Sequence, residues 1–276
     1  MTLLKLNVSC FLLFTLLSSG SIAQTVTPTS VSVDGNTLRA NLQVTSIIEV
    51  DLVVEFEKSI GLIADNVNIS ATLHDVRDIE VISRISSFGI KAIPSFPVII
   101  SISPKADTGF AFEGLASIEI YTKSVDYNTA MPARIFRSHA NGDFEDITSM
   151  ISAGSIRARG NTGSFSDFMI LLDERSNANK IDDTFSQLNQ LFNQNINNVS
   201  SILAVTIQTS INAIQQTLLL SDYVTALELV EELIVVSENA TGQQITNVWR
   251  SSNDLTNMQG ELLTRLRTLR YNLRII

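Results

Sequence analysis

Residues Pro132 to Asp173 read PARIFRSHANGDFEDITSMISAGSIRARGNTGSFSDFMILLD, and this stretch decides the fold. Ala133 to Ser138 is a short run with Ile135 and Phe136 at its centre, and Phe144 to Thr148 returns after Asn141-Gly142. Asn-Gly is a strong hairpin signal because both residues tolerate positive φ. From Ser155 to Arg159 the chain alternates, Ile156 and Ala158 pointing one way and Arg157 and Arg159 the other. A period of two is what a half-buried strand requires. Gly160 to Gly163 reads as the next turn, and Phe165 to Leu172 is so continuously apolar that it reads as a central strand.

The chain before this stretch is also rich in strand signals. Val31, Val33, Leu38, Ala40, Leu42 and Val44 alternate around Asp34-Gly35, a second hairpin signal. Ile47 to Phe56 reads as a strong strand with Asp51, Glu55 and Glu57 on its wet side. Val67 to Leu73, Ile79 to Ile85, Phe96 to Ile102, Phe110-Phe112 and Ala116 to Thr122 continue the series. Strands at this spacing argue for one large antiparallel sandwich. Pro104 to Gly109 is where a boundary between two smaller β-domains would fall instead.

Beyond Ser176 glycine nearly vanishes and the period lengthens. Ile181, Phe185, Leu188 and Phe192 recur at steps of three and four, and Asn193 to Asn198 reads as a break. Val199, Ile202, Leu203, Ile207, Ile211, Ile214 and Leu218 mark a second helix. Ser221-Asp222 caps a third carrying Val224, Leu227, Val230, Leu233 and Ile234. A last helix takes Ile245, Val248, Trp249, Leu255, Met258, Leu262, Leu266, Leu269 and Leu273, which puts Trp249, the only tryptophan, on its apolar seam. The fold expected is α+β in three parts. Residues 1–23 form a signal peptide, 24–175 an antiparallel β-sandwich, and 176–276 a three- or four-helix antiparallel bundle.

Three motifs carry a resemblance: Phe144-x-Asp146-Ile-Thr148, Gly154-Ser-x-Arg157-x-Arg159-Gly160, and Gly163-x-Phe165-Ser-x-Phe168-x-Ile170. With Phe96-Pro97 upstream and Asn247-Val248-Trp249-Arg250 downstream, most of the chain resembles a family of secreted bacterial proteins of unknown function. The resemblance implies the domain plan and brings no activity, ligand or catalytic residue.

The N-terminus reads as a secretory signal. Lys5 is the positive region, Cys10 to Leu17 the apolar core, and Ser21-Ile22-Ala23 a small-x-small cleavage site. The apolar run is well short of the ~20 residues a membrane span needs. Cleavage removes the only cysteine, and with it any disulfide, thiolate nucleophile or sulfur ligand. The net charge of −9 makes nucleic acid and anionic lipid poor partners.

Few residues offer chemistry. His74 and His139 are the two histidines, so any Ser-His-Asp machine must use one of them. Both read first as loop residues. Asn141, Asp143, Glu145 and Asp146 could gather around Ca²⁺, though Asp146 should face away from Asp143 and Glu145. Asp182-Asp183 reads as the acidic first turn of a helix. Arg265, Arg267, Arg270 and Arg274 read as solvated partners of a helix C-terminus, or else as an anion-docking patch. Asn68, Asn198 and Asn239 head glycosylation triplets expected to stay bare. No catalytic residue, cofactor or metal ligand is assigned. The expected function is an exported, non-enzymatic binding or structural module of the cell envelope, its partner a protein or a neutral glycan. The alternative is an envelope hydrolase using His74 or His139. A hydrolase should place one of them within reach of a serine and a carboxylate, whereas a binding module should show an exposed apolar patch.

Overall fold

The computed structural model describes residues 23–128, 130–152 and 154–276. The signal segment 1–23, Cys10 included, lies outside them except for Ala23.

Two antiparallel sheets form the first part of the fold. One contains Gln24–Val26 (β1), Val67–Leu73 (β5), Ile90–Ala92 (β6), Val98–Pro104 (β7), Ala133–Ser138 (β9), Glu145–Asp146 (β10) and Asp167–Asp173 (β13). Its spatial order is β1-β5-β7-β13-β9-β10, with β6 also beside β13. The other contains Ser30–Asp34 (β2), Thr37–Gln43 (β3), Glu49–Ile60 (β4), Ala111–Tyr127 (β8), Thr148–Ser152 (β11), Gly154–Thr162 (β12) and Val248–Arg250 (β14). Here the order is β11-β12-β8-β4-β3-β2, with β14 on β8.

Alternation explains which faces are inside. Along β4, Val50, Leu52, Val54 and Phe56 are buried while Glu49, Asp51, Glu55 and Glu57 are exposed. Their apolar face shares one core with Ile69, Ile100, Ile135, Phe168 and Ile170 of the other sheet. β13 has neighbours on both edges, β9 on one and β7 and β6 on the other, and Phe168 to Leu171 are all buried. That accounts for the unbroken apolar run in its sequence.

The helices are Ile79–Ile82 (α1), Asn177–Gln194 (α2), Ser201–Leu219 (α3), Tyr223–Glu238 (α4) and Met258–Arg274 (α5). Ser176 caps α2, its hydroxyl accepting from the Asn179 amide at 3.2 Å. Asp222 caps α4 by accepting from the Thr225 amide at 3.1 Å. α5 packs against α2, α4 and the strands β8, β11 and β12, while α3 packs on α4.

Several expectations are corrected. The strand expected from Ile79 to Ile85 begins as the one-turn helix α1, because Asp78 accepts from the Glu80 amide at 3.0 Å and caps it. Local capping outweighs the β-branched composition there. Phe112 and Ala116 to Thr122 belong to one run, with Phe110 just before it: β8 passes from 111 to 127 through Gly114, whose φ of 73° a side chain would resist. Phe144 to Thr148 is not one strand, since Glu145–Asp146 pairs in one sheet and Thr148 starts pairing in the other. The turn expected at 160–163 starts later, because Gly160 to Thr162 still pair with Ile118 to Ala116. The positive-φ residues of the 138–142 turn are Ala140 (49°) and Asn141 (60°), one step before Asn141-Gly142.

The largest correction concerns Trp249. Residues 248–250 form β14 and return to the sheet, Trp249 opposite Phe112, so the last helix starts only at Met258. The indole lies among Phe165, Phe112 and Phe110 at ring-centroid distances of 4.9, 5.6 and 6.0 Å. An aromatic group inside the sheet core outweighs helical spacing on a local seam.

Candidate functional site

α5 is the element that builds the site. Its residues are polar on average, yet Gln259, Glu261, Thr264, Arg265, Thr268 and Asn272 are buried. A helix can bury such a face only if its partners satisfy it. Docking begins at Asn257, whose Oδ1 accepts from the Gly260 amide at 2.9 Å. Its Nδ2 donates to the Gly114 and Gly163 carbonyls at 2.7 and 3.2 Å. Gly260 and Gly163 let the two backbones touch. A Cβ on Gly260 would stand 2.6 Å from the Gly114 oxygen, and one on Gly163 would stand 2.5 Å from the Glu261 nitrogen.

One turn on, Glu261 accepts twice from Arg137 of β9, at 2.7 and 2.8 Å, and from the Ser164 hydroxyl at 2.8 Å. Arg265 donates to Glu261 and to Glu145, each at 2.8 Å. Arg137 also donates to Thr162 at 2.8 Å. Two guanidinium groups and two carboxylates thus balance inside the protein. Burial works against the Glu261 anion, but Arg137 and then Arg265 outweigh it and hold the carboxyl well below its usual range. Burial works against the Arg137 cation too, but Glu261 and then Glu145 outweigh it and raise its pKa.

Over this network lies a cleft of about 770 Å³. One wall comes from the end of β7, the 138–141 turn and residues 163–167; the other comes from residues 253–257, α5 and Leu191. That volume falls in the usual range for small-molecule sites. The Nε donor of Arg265, which lines the cleft, is buried with no partner among the described residues.

The residues singled out from sequence are scattered. His139 lines the cleft, and its Nδ1 lies 3.3 Å from the Ser166 hydroxyl, which itself donates to the Phe165 carbonyl at 2.6 Å. His74 is buried elsewhere, with Nδ1 2.9 Å from Asp78. Its hydrogen bond is the main reason the Asp78 carboxyl is held down, the Glu80 amide adding to it. His74, Asp78 and Glu80 bring one nitrogen and two carboxylates within 4.8 Å of one another, a set that could hold a cation, although Asp78 is already occupied as a helix cap.

The Ca²⁺ candidates do not converge. Glu145 serves Arg265, and Asp146 accepts from Arg134 at 3.0 Å and from the Thr148 amide at 2.9 Å. Burial pushes the Asp146 carboxyl up, with Arg134 pulling the other way. Asp182-Asp183 is not in the first turn of α2, which begins at Asn177; Asp183 instead accepts from Arg175 at 2.9 Å. Nor are the four arginines a solvated set. Arg265 is buried, Arg267 donates to Glu238, Arg274 pairs with Glu231, and Arg270 is half-buried. Burial lowers Arg270, helped by Arg274 and Arg267.

On another face, Phe88 is fully exposed near Ile82, Ile85 and Pro94, which line an apolar groove of about 520 Å³.

A family model matches residues 11–276. The chain belongs to the family of unknown function DUF6689. No curated protein and no solved structure matches it. For this DUF6689 chain, then, the site stands on its own geometry. Its key pair, Arg137 and Glu261, was not singled out from sequence. The local pattern is ordinary: 261, 264, 265, 268 and 272 form a polar stripe beside the apolar stripe 262, 266, 269 and 273. That is the pattern of any amphipathic helix, whose polar face is expected in water, so it does not announce that this polar face is buried. No helix among the described residues is long and apolar enough to cross a membrane.

Proposed function

We propose that this DUF6689 protein is an exported, non-enzymatic binding module of the cell envelope, a β-sandwich joined to a helical bundle, with its ligand in the cleft. The observation that carries this reading is the cleft itself: about 770 Å³, walled by strands and helices together, its charges already paired. Against a hydrolase, neither histidine meets both a serine and a carboxylate among the described residues. The exposed apolar side chains around Phe88 also fit a module that binds a partner.

Amide NMR spectra of the chain, titrated with fractions of envelope extract, test the reading. Saturable shifts at the 139–141 and 253–257 loops are expected, and silence there for every fraction removes it. The hydrolase reading has one observation in its favour, the His139–Ser166 contact. It requires that Ser166→Ala abolish any ester or amide hydrolysis, whereas a binding module shows no turnover to abolish.

Export rests on the charged, apolar and small-residue regions of 1–23. The intact mass of the exported protein is expected to correspond to a chain beginning at Gln24. A mass that includes Met1, or a lipid, removes this part of the reading.

A further inference from the structure

The inference below rests on the cleft being a binding site, and it concerns what the cleft takes. Its charged groups are committed to one another. Arg137 and Arg265 face Glu261 and Glu145, and Asp167 accepts from Arg84 at 2.8 Å. An ion entering therefore finds no unmatched countercharge, and the overall charge of −9 disfavours a polyanion further.

The groups left over are uncharged. Ser103, Asn141, Asn253 and Thr256 are exposed along the cleft, and their side chains make no hydrogen bond to the other described residues. Every one of these side chains can both donate and accept. Leu255, partly exposed, and Pro104 add apolar surface to the walls.

We infer that the cleft is a site for a neutral oligosaccharide of a few units. Sugar hydroxyls are donors and acceptors at once, as the amide and hydroxyl side chains are. The C–H faces of a sugar ring suit Leu255 and Pro104. A peptide fits less well: it would need a free strand edge for its backbone, and β10, the edge of the adjoining sheet, pairs over only two residues.

The test uses the chain from residue 24 with three kinds of probe: neutral trisaccharides (maltotriose, cellotriose, mannotriose and triacetylchitotriose), trigalacturonate, and trialanine. At least one neutral trisaccharide is expected to shift amide resonances of 139–141 and 253–257 saturably. Asn253→Gly removes the side-chain amide while tolerating the 53° φ at that position, and Thr256→Val removes the hydroxyl at an exposed residue. Each is expected to weaken that binding about tenfold with an unchanged melting temperature, roughly the loss of one good hydrogen bond. Cleft shifts from trigalacturonate or trialanine, with none from any neutral sugar, overturn the saccharide assignment and leave the binding role standing. Sugar binding indifferent to both substitutions also overturns it, since the site then lies elsewhere. Cleft resonances unmoved by all three kinds of probe overturn the assignment, and if envelope extract leaves them unmoved as well, the binding role falls with it.

Discussion

Replacing Glu261 by glutamine is expected to destabilise the protein by about 3–5 kcal/mol, the usual cost of removing one partner from a buried ion pair. Two cations depend on this carboxylate. Arg137 is 3% exposed and would keep, of its anionic partners, only the longer 3.5 Å contact to Glu145, while Arg265 would lose the carboxylate of Glu261 and keep that of Glu145. A control is available in Glu231→Gln, whose pair with Arg274 is exposed. Exposed pairs contribute about 0–1 kcal/mol. Urea titration followed by the fluorescence of the single tryptophan measures both variants. A loss at Glu261 no larger than at Glu231 would mean that α5 is not held by this network.

The same variant carries a pH signature. The folded Glu261 carboxyl lies below its unfolded value, so it takes up its proton at lower pH in the native state. Its contribution is complete above the unfolded value, about 4.3, and is lost as pH falls through the folded one. The stability gap between the native protein and Glu261→Gln is therefore expected to hold from neutrality down to about pH 5 and to narrow below about pH 4. A gap that narrows on the alkaline side would contradict the assignment.

Trp249→Ala is expected to cost about 3–5 kcal/mol as a cavity left by a buried aromatic. The indole is 5% exposed and stacks on Phe112 with an interplanar angle of 25°. The consequence differs from that of a tryptophan on a helical seam. There the helices would melt while the sheets survived. Here the ring belongs to the sheet core, and the chain runs from it directly into α5, which joins both halves. One cooperative transition at lower temperature is expected, with helix and strand signals lost together in circular dichroism. A helical signal that melts first, over an intact sheet signal, would show the two halves to be energetically separate.

Both predictions fall where the sequence was least legible, and for one physical reason. Patterns of period two and three to four report which face of an element is covered, and not what covers it. β4 and β13 could be read because their burial is written in their own residues. The helix cap at Asp222 was readable too, since a cap involves neighbours only. Ile245, Val248 and Trp249 stand at steps that suit a helix, yet Ile245 bridges Val199 while Val248 and Trp249 lie on β14, where only Phe110, Phe112 and Phe165, far off in sequence, gather the indole. Arg137 and Glu261 are separated by 124 positions, and nothing near either names the other. His74 and His139 drew attention by residue type, yet the walls of the cleft are mostly amides, hydroxyls and paired ions.

The return of β14 and α5 to the sheets has a consequence during synthesis. When β9 leaves the ribosome, Arg137 must wait for another 124 residues before Glu261 exists. At about 5–20 residues per second that delay is roughly 6–25 seconds. Throughout it, the edge of β8 that β14 will take is bare, and a cation destined for the interior has no carboxylate on α5 to receive it. The strands cannot close as a finished unit ahead of the helices, so the nascent chain reaches its native state only after α5 has been made.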